Sequence, residues 1–276
     1  FMNDLLVTAT IVTYKEREDV LKKAIDSFLN TTLNVKLYIV DNSPTDDLRV
    51  LCENIPRLEY IFNNANIGFG AAHNIIMREE IRLGRYHLVL NPDISFEAGT
   101  IERLVQFMDQ NKDVGICMPK VLYPDGSLQY LCKLLPTPIN WIARSLIPID
   151  RVKKKLDYDF EMRFTDYNSI MEVPYLSGCF LFIPRHVITE IGVFDEGIFM
   201  YGEDTDLCRR IGRKYKTMFY PKAFVYHHFR KGSHKNLRLF KIHVKAAIYY
   251  FNKWGWFYDT ERRKINNRIK SLYITK

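Results

Sequence analysis

Short apolar runs alternate with stretches of helical periodicity along the first 120 residues, which is typical of an α/β fold. β-branched residues over 8–13 predict a buried first strand, and the apolar run at 35–40 predicts the strand that returns beside it. Between them, apolar residues recur every three or four positions from Val20 to Leu29, which predicts an amphipathic helix packed on the sheet. A strand, helix and strand in this order open a nucleotide-binding α/β fold.

The downstream pattern predicts further strands and helices with one irregular segment between them. Strands are predicted at 58–62, 88–90, 114–118, 173–185 and just before His227, and helices near Ala71, over 97–110 and from Glu203. The segment 134–166 loses its period and contains Pro136, Pro138 and Pro148. We therefore expect an irregular or mobile insertion there.

The C-terminal stretch interleaves aromatic and aliphatic residues with lysines from Leu237 to Phe257, which predicts an amphipathic helical tail. Such a helix can lie in a membrane interface, or it can pack on the preceding domain with its basic face in water. The neighbouring Trp254 and Trp256 favour the membrane, because tryptophan prefers the boundary between lipid and water. We expect one large domain at 1–235 and a basic aromatic tail at 236–276.

Composition and charge narrow the class of protein. The chain has 276 residues, 47% of them hydrophobic, and a net charge of +8. Residues 227–276 hold thirteen Lys or Arg against two acidic residues, so the tail favours an anionic partner, either membrane headgroups or nucleic acid. We expect no membrane-spanning helix, because no apolar run reaches eighteen residues, and no signal peptide. Five scattered cysteines without a C-x-x-C pair indicate buried thiols in a reducing cytoplasm.

Polar residues follow two of the apolar runs, which favours a ligand site at the carboxyl edge of the sheet. Asn91-Pro92-Asp93 ends the run at 88–90, and Asp41 ends the run at 35–40. The first is also compatible with ordinary turn chemistry, and the second with a helix cap. Neither identifies a site alone.

A glycine-containing loop, Asn66-Ile67-Gly68-Phe69-Gly70, follows the strand predicted at 58–62. Glycines permit positive φ and close backbone approach, and the free amides of the next helix are suited to a diphosphate. An ordinary loop explains these residues equally well. The turn after the first strand contains no glycine, whereas a dinucleotide-binding protein would carry G-x-G-x-x-G there, so NAD and FAD are not expected.

Glu203-Asp204-Thr205-Asp206 puts three carboxylates into the first turn of a predicted helix. The helix dipole favours acidic residues at this end, and this alone explains many such clusters. Three carboxylates in four residues are more than a cap requires, so the cluster is a candidate for acid-base chemistry.

In this order, and together with Ser177-Gly178-Cys179, these stretches resemble the family 2 glycosyltransferases of the GT-A fold, particularly the branch related to rhamnosyltransferases. The resemblance extends from Thr8 to Lys235, and the stretch from Asn66 to Asn74 matches a motif of the family nearly throughout. It implies a Rossmann-like mixed α/β sheet flanked by helices, followed here by the amphipathic tail. It also implies that the segment 134–166 faces the acceptor.

The resemblance implies a metal-assisted donor site. Asp93 and His227 would hold Mg²⁺ or Mn²⁺ against the diphosphate of a nucleotide sugar, with His228 as the alternative to His227. Asn91 stands where the family usually carries the first Asp of Asp-x-Asp, which removes one negative ligand. Asp41 would contact the base of the nucleotide. The other residues expected at the donor are Thr13, Tyr14, Asn66, Gly68, Phe69, Asn74, Asn91, Gly178 and Lys231.

For the acceptor, the resemblance implies that Asp204 removes the proton of the attacking hydroxyl, with Glu203 in support. The implied reaction is inverting transfer of a sugar, foremost rhamnose from dTDP-rhamnose, to a lipid-linked bacterial surface polysaccharide intermediate such as O-antigen or capsule. The enzyme would be cytoplasmic and held at the inner face of the plasma membrane by its tail.

Four alternatives remain open at the level of sequence. The donor could be another sugar nucleotide such as a UDP-hexose, and the Asn91 departure is compatible with a binding protein that does not catalyse transfer. Nucleic-acid binding by the tail has no motif to support it. A nucleotidyltransferase is disfavoured because the phosphate-binding glycine loop after the first strand is missing.

Overall fold

The computed structural model describes residues 5–142, 149–228 and 237–274, which form a mixed β-sheet flanked by helices. The strands are β1 (Val7–Thr13), β2 (Val35–Asp41), β3 (Leu58–Phe62), β4 (Tyr86–Leu90), β5 (Ile94–Ser95), β6 (Val114–Leu122), β7 (Cys132–Lys133), β8 (Met171–Glu172), β9 (Tyr175–Leu176), β10 (Phe180–Pro184) and β11 (Lys216–His227). The helices are α1 (Glu18–Leu29), α2 (Arg49–Cys52), α3 (Phe69–Met77), α4 (Thr100–Gln110), α5 (Pro138–Trp141), α6 (Asp150–Phe160), α7 (Arg185–Ile191), α8 (Glu203–Ile211), α9 (Leu237–Trp254) and α10 (Thr260–Tyr273).

The main sheet has a parallel half and a mixed half. Its strands lie in the order β3-β2-β1-β4-β10-β6-β11-β5, with β8 beside β11, while β7 and β9 form a separate pair. β3, β2, β1 and β4 are parallel, as the alternation of strands and helices predicts. β10 runs antiparallel to β4 and β6, and β11 runs parallel to β6. This confirms the predicted mixed α/β sheet.

The central strands are buried along their whole length because they are covered on both faces. All seven residues of β1 and all five of β4 are buried. The apolar stripe of α1 packs on the sheet through Leu21, Ala24, Ile25 and Phe28. The polar ends of these strands therefore emerge together at one edge of a rigid core.

The structure departs from the predicted elements in three places. Segment 134–166 was expected to be irregular, but its described part contains α5 and the eleven-residue α6. The run at 173–185 is two strands, β9 and β10, and not one. The tail contains a second helix, α10, after α9 ends at Trp254. The predicted boundary at 235 and 236 lies outside the described residues.

The tail helices are packed against the preceding domain. Ala247, Tyr250 and Phe251 of α9 form a buried cluster with Trp141 of α5. Arg209 of α8 makes a doubly bonded ion pair with Asp259 at the start of α10, at 2.6 and 2.7 Å. In the described part of the chain, no helix combines the length and the apolar character that crossing a bilayer requires.

Candidate functional site

A cleft of about 1470 Å³ opens at the carboxyl edge of the parallel strands. It is bordered by the ends of β1, β4 and β11, by the loop before α3 and by the first turn of α8. Most of the residues predicted for the donor, the metal and the acceptor line this one cleft. They are Thr13, Tyr14, Asn66, Gly68, Phe69, Asn91, Asp93, Gly178, Glu203, Asp204 and His227.

Strand pairing places Asp93 beside His227. β5 is antiparallel to β11 with Ile94 opposite His227, and the main-chain N–H of His228 donates to the carbonyl of Asp93 at 2.9 Å. The imidazole Nε2 of His227 consequently lies 3.2 Å from Oδ1 of Asp93. His228 also lines the cleft, and its Nε2 lies 3.2 Å from Oγ of Ser95.

The residues at this point fit a divalent cation. Oδ1 of Asp93 is buried and accepts no hydrogen bond from the described residues. A carboxylate oxygen and an imidazole nitrogen are both ligands for Mn²⁺ or Mg²⁺. The described residues contain no cluster of three or more His, Cys, Asp or Glu that would enclose a metal. An open two-ligand arrangement suits a cation that takes its remaining ligands from a diphosphate and water.

The glycine-containing loop at 66–70 is held by contacts with Asn42 and with Phe199. Gly68 has φ of 97° and ψ of 170°, a conformation that is nearly restricted to glycine. A Cβ at this position would lie 2.5 Å from the carbonyl oxygen of Phe199, which accepts a hydrogen bond from the N–H of Phe69 at 2.9 Å. Asn42 donates to the carbonyl of Gly68 at 3.1 Å, so the backbone path is set by contacts on both sides.

Asp204 is held in place by hydrogen-bond donors to both of its carboxylate oxygens. Its Oδ2 accepts from the N–H of Gly178 at 2.8 Å and from the hydroxyl of Tyr175 at 3.3 Å, and its Oδ1 accepts from the N–H of Thr205 at 2.8 Å. Burial raises the pKa of Asp204 above its ordinary value, while these donors and the charge of Lys133 oppose the rise. The carboxylate therefore combines a fixed direction with increased basicity.

Glu203 differs from its neighbour in its surroundings. Its Oε2 is buried and has no hydrogen-bond partner among the described residues. Burial first, and then the charge of Asp204, raise the pKa of Glu203 well above its ordinary value. Burial therefore favours the protonated form more strongly at Glu203 than at Asp204, whose charged form is stabilised by its hydrogen-bond donors and by Lys133.

Three predicted residues do not line the described cleft. Asp41 is fully buried, and its carboxylate accepts hydrogen bonds from the N–H of Ser43 and the hydroxyl of Tyr60. Asn74 is also buried, and its amide exchanges two hydrogen bonds with the backbone of Phe194. The side chains of both residues form hydrogen bonds within the protein, next to the wall of the cleft. Contact between these two residues and a nucleotide-sugar donor stays a prediction. Lys231 lies outside the described residues.

The structure adds residues that sequence reasoning did not single out. Lys133 lies over the ring of Tyr175 at 5.2 Å, and both line the cleft near Asp204. Trp141 reaches the cleft from α5 and packs against Gly202, the residue before α8. The aromatic residues Trp141 and Tyr175 gave no periodic signal, since each belongs to an element of four residues or fewer. Their roles follow from tertiary contacts.

Comparison with known proteins matches this chain to glycosyltransferases. A family model described as Glycosyl transferase family 2 matches residues 8–183. An N-acetylglucosaminyl-diphospho-decaprenol L-rhamnosyltransferase of Mycobacterium tuberculosis is 26% identical over 238 residues, which cover 82% of this chain and 77% of that protein. The rhamnosyltransferase WbbL of Escherichia coli K12 is 23% identical over 248 residues, covering 87% of this chain and 90% of its own length.

Two solved structures share the fold. A crystal structure of GalNAc-T7 with UDP, GalNAc and Mn²⁺ superposes with a TM-score of 0.62 at 17% identity, over 82% of this chain and 43% of that one. The mannosyltransferase PcManGT of Pyrobaculum calidifontis, in complex with GDP-Man and Mn²⁺, gives a TM-score of 0.56 at 14% identity, over 98% of this chain and 76% of its own. The likeness confirms the predicted GT-A fold.

Proposed function

Because the chain belongs to glycosyl transferase family 2, we propose that it transfers rhamnose from dTDP-rhamnose, with inversion, to a hydroxyl of a lipid-linked saccharide in the synthesis of a bacterial surface polysaccharide such as O-antigen or capsule. The observation that carries this proposal is the single cleft that holds both the Asp93–His227 pair and the buried base Asp204. The two rhamnosyltransferase relatives support the choice of sugar, and the diphospho-decaprenol in the name of one supports a lipid-linked acceptor.

In the proposed reaction the acceptor hydroxyl gives its proton to the carboxylate of Asp204 while its oxygen bonds to the anomeric carbon. The bond from that carbon to the diphosphate breaks, and the electron pair leaves with the diphosphate. A single displacement of this kind inverts the configuration at the anomeric carbon. Mg²⁺ or Mn²⁺ bound by Asp93 and His227 would supply positive charge against the leaving diphosphate. The donors around Asp204 keep its carboxylate aimed while the proton moves.

The donor and the metal are tested by calorimetric titration with dTDP-rhamnose, UDP-glucose, UDP-galactose and GDP-mannose, with and without Mn²⁺. We expect tight Mn²⁺-dependent binding of dTDP-rhamnose, lost in Asp93→Ala and kept in Glu16→Gln, which changes another carboxylate of the same cleft. Tight binding of a UDP-hexose instead would replace the proposed donor. Binding by every variant without transfer to any acceptor would favour a binding protein.

The variants Asp204→Asn and Glu203→Gln distinguish the roles of the two neighbouring carboxyl groups. Removing the base should lower kcat by about 10²–10⁴-fold. Gln resembles a protonated Glu, so Glu203→Gln should lose much less. The measurement is the transfer rate at saturating donor, with the anomeric configuration of the product read by NMR. Equal losses in the two variants, or a retained configuration, would contradict the proposed mechanism.

For the whole enzyme we propose a cytoplasmic catalytic domain at 1–235 and a tail at 236–276 that rests on the inner face of the plasma membrane. On α9, Leu237, Lys241, Lys245 and Ile248 are exposed at helical spacing. Phe257 and Tyr258, in the turn before α10, are 68% and 95% exposed. Exposed cationic and aromatic side chains suit an interface of anionic lipid.

This membrane proposal is tested by co-sedimentation with vesicles of phosphatidylglycerol and of phosphatidylcholine. We expect salt-sensitive binding to the anionic vesicles, reduced in a variant that combines Phe257→Ser and Tyr258→Ser. A matched variant, Val50→Ser with Ile81→Ser, removes two other exposed apolar side chains and should bind like the wild type. Equal binding by both double variants would exclude the turn as the contact.

A further inference from the structure

The side chain of Gln129 is buried between the end of β6 and the end of β11, next to the Asp93–His227 pair. Gln129 follows the tight turn at 123–127, and its main-chain N–H donates to the carbonyl of Val121 at 2.9 Å. The side-chain amide nitrogen donates to the carbonyl oxygens of His227 at 2.9 Å and Leu122 at 3.3 Å. With both amide hydrogens directed at carbonyls, the remaining oxygen Oε1 faces Nδ1 of His227 at 3.0 Å.

This arrangement determines which ring nitrogen of His227 donates to Gln129 and which one faces Asp93. An amide oxygen can only accept, so Nδ1 must be the nitrogen that donates. In the neutral imidazole Nε2 then bears the lone pair, and Nε2 is the nitrogen that lies 3.2 Å from Oδ1 of Asp93. Two acceptor atoms would face each other at this distance. A cation bound by both removes the repulsion, and the buried Oδ1 accepts no hydrogen bond from the described residues.

We propose that Gln129 is a positioning residue, which fixes the Nδ1–H tautomer and the ring orientation of His227 so that Nε2 serves as a ligand to the divalent cation. The inference rests on the proposed function, because it assigns a partner to one of the proposed metal ligands. Metal-ligating histidines commonly donate their other N–H to a carboxylate or carbonyl oxygen, and loss of that partner typically lowers metal affinity 10- to 100-fold. Gln129 provides such an oxygen while its amide group ties the ring to the backbones of β6 and β11.

The test uses the full chain and three variants: Gln129→Met, which keeps the length of the side chain without its polar atoms, Gln129→Glu, which keeps an acceptor, and His227→Ala. A fourth variant, Asn266→Leu, is the matched control, since the Asn266 amide exchanges two hydrogen bonds with the backbone of Leu135. The tautomer of His227 is read from the ¹⁵N shifts and two-bond couplings of its ring in protein freed of metal by chelation. Affinity for Mn²⁺ alone and for Mn²⁺ with dTDP is read by electron paramagnetic resonance.

We expect wild type, Gln129→Glu and Asn266→Leu to hold the Nδ1–H tautomer, and Gln129→Met to lose it. The Mn²⁺ affinity of Gln129→Met should fall about 10- to 100-fold, that of Gln129→Glu should be largely restored, and Asn266→Leu should lower the unfolding midpoint without a change in Mn²⁺ binding. Wild-type tautomer and affinity in Gln129→Met would overturn the inference alone. Undiminished Mn²⁺ affinity in His227→Ala would overturn the proposed metal site and the inference with it.

Discussion

At the scale of single residues, the cleft depends on backbone positions as much as on charged side chains. Gly178 brings its N–H to Asp204 because it lacks a Cβ, which would lie 3.1 Å from the Cβ of Asp204. Gly68 brings the loop of the expected donor site under Phe199. In both cases a glycine lets another segment of the chain approach closely, and at Gly178 this approach orients the carboxylate of Asp204.

Gly68→Ala should destabilise the protein more than Gly126→Ala. Both glycines have positive φ, 97° and 83°, but a Cβ at 126 would meet nothing within 4 Å, whereas a Cβ at 68 would lie 2.5 Å from the Phe199 carbonyl oxygen. Backbone strain alone costs about 1–3 kcal/mol at such positions, and the clash at 68 adds to it. Urea unfolding measures the difference, and donor titration should show weaker binding in Gly68→Ala only. Equal free energies of unfolding in the two variants would refute the role of the Phe199 contact.

The residues of the site differ in how far the sequence alone could identify them. The sequence alone singles out Asp93 and Asp204 as candidates, because one follows a buried strand and the other lies in a carboxylate cluster at a helix start. The pairing of Asp93 with His227 was expected only from family resemblance. Its physical cause, the register of β5 against β11, joins residues more than 130 positions apart and leaves no local pattern. Gln129 lies in a short hairpin return, and its two contacts with His227 join residues 98 positions apart.

At the scale of elements, α8 links the carboxyl groups proposed to act on the acceptor to the tail. Its first turn carries Glu203 and Asp204, while Arg209 and Asp206 further along are buried against the tail. Asp206 accepts hydrogen bonds from Trp254 at 2.8 Å and Arg210 at 2.8 Å. The sequence predicted both helices but not this contact. The period of a helix shows which face is apolar, and it does not show which buried charge will find a partner.

Arg209→Met should cost about 3–5 kcal/mol of unfolding free energy, because it removes the doubly bonded partner of the buried carboxylate of Asp259, which then keeps Arg262, with its N–H at 2.9 Å and its guanidinium at 3.8 Å. The side chains of Arg209 and Asp259 are 1% and 3% exposed. Lys22→Met is the matched control, since it removes an exposed ion pair with Asp26 and should change stability by only about 0.5 kcal/mol. Urea unfolding at neutral pH gives both values. Losses of similar size would mean that the α8–tail pair adds nothing beyond a surface salt bridge.

At the scale of the whole molecule, the fold was the most predictable feature and the tail the least. The alternation of strand and helix patterns specifies a parallel sheet nearly by itself, because few chain paths bury such strands on both faces. The amphipathic pattern of the tail is compatible both with packing on the preceding domain and with a membrane interface. The structure buries one face of α9 on the domain and leaves Lys241 and Lys245 exposed, so both expected surfaces are present on one helix. Only a lipid-binding measurement decides what the exposed face contacts.

Two buried histidines should make the folded state sensitive to mild acid. His73 and His87 are fully buried; burial lowers the pKa of His73 well below its ordinary value and that of His87 to about 3. The unfolded chain takes up protons on these two histidines near pH 6.5 while the folded chain does not, so their contribution to stability is constant above that pH and falls below it. For His87 the decline continues to about pH 3, and each histidine contributes up to about 1.4 kcal/mol per pH unit.

His73→Phe should remove the contribution of one of these two histidines to the pH dependence of the free energy of unfolding. Neither ring nitrogen of His73 has a hydrogen-bond partner among the described residues, and the ring lies 4.4 Å from that of Phe69, so an apolar ring fits the same contacts. The free energy of unfolding, measured in urea between pH 7.5 and 4.5, should decline less steeply below pH 6.5 in the variant, by up to about 1.4 kcal/mol per pH unit. At pH 7.5 the variant should be at least as stable as the wild type, because it no longer buries two unpaired polar atoms. An unchanged slope would mean that His73 takes up its proton in the folded state as readily as in the unfolded chain.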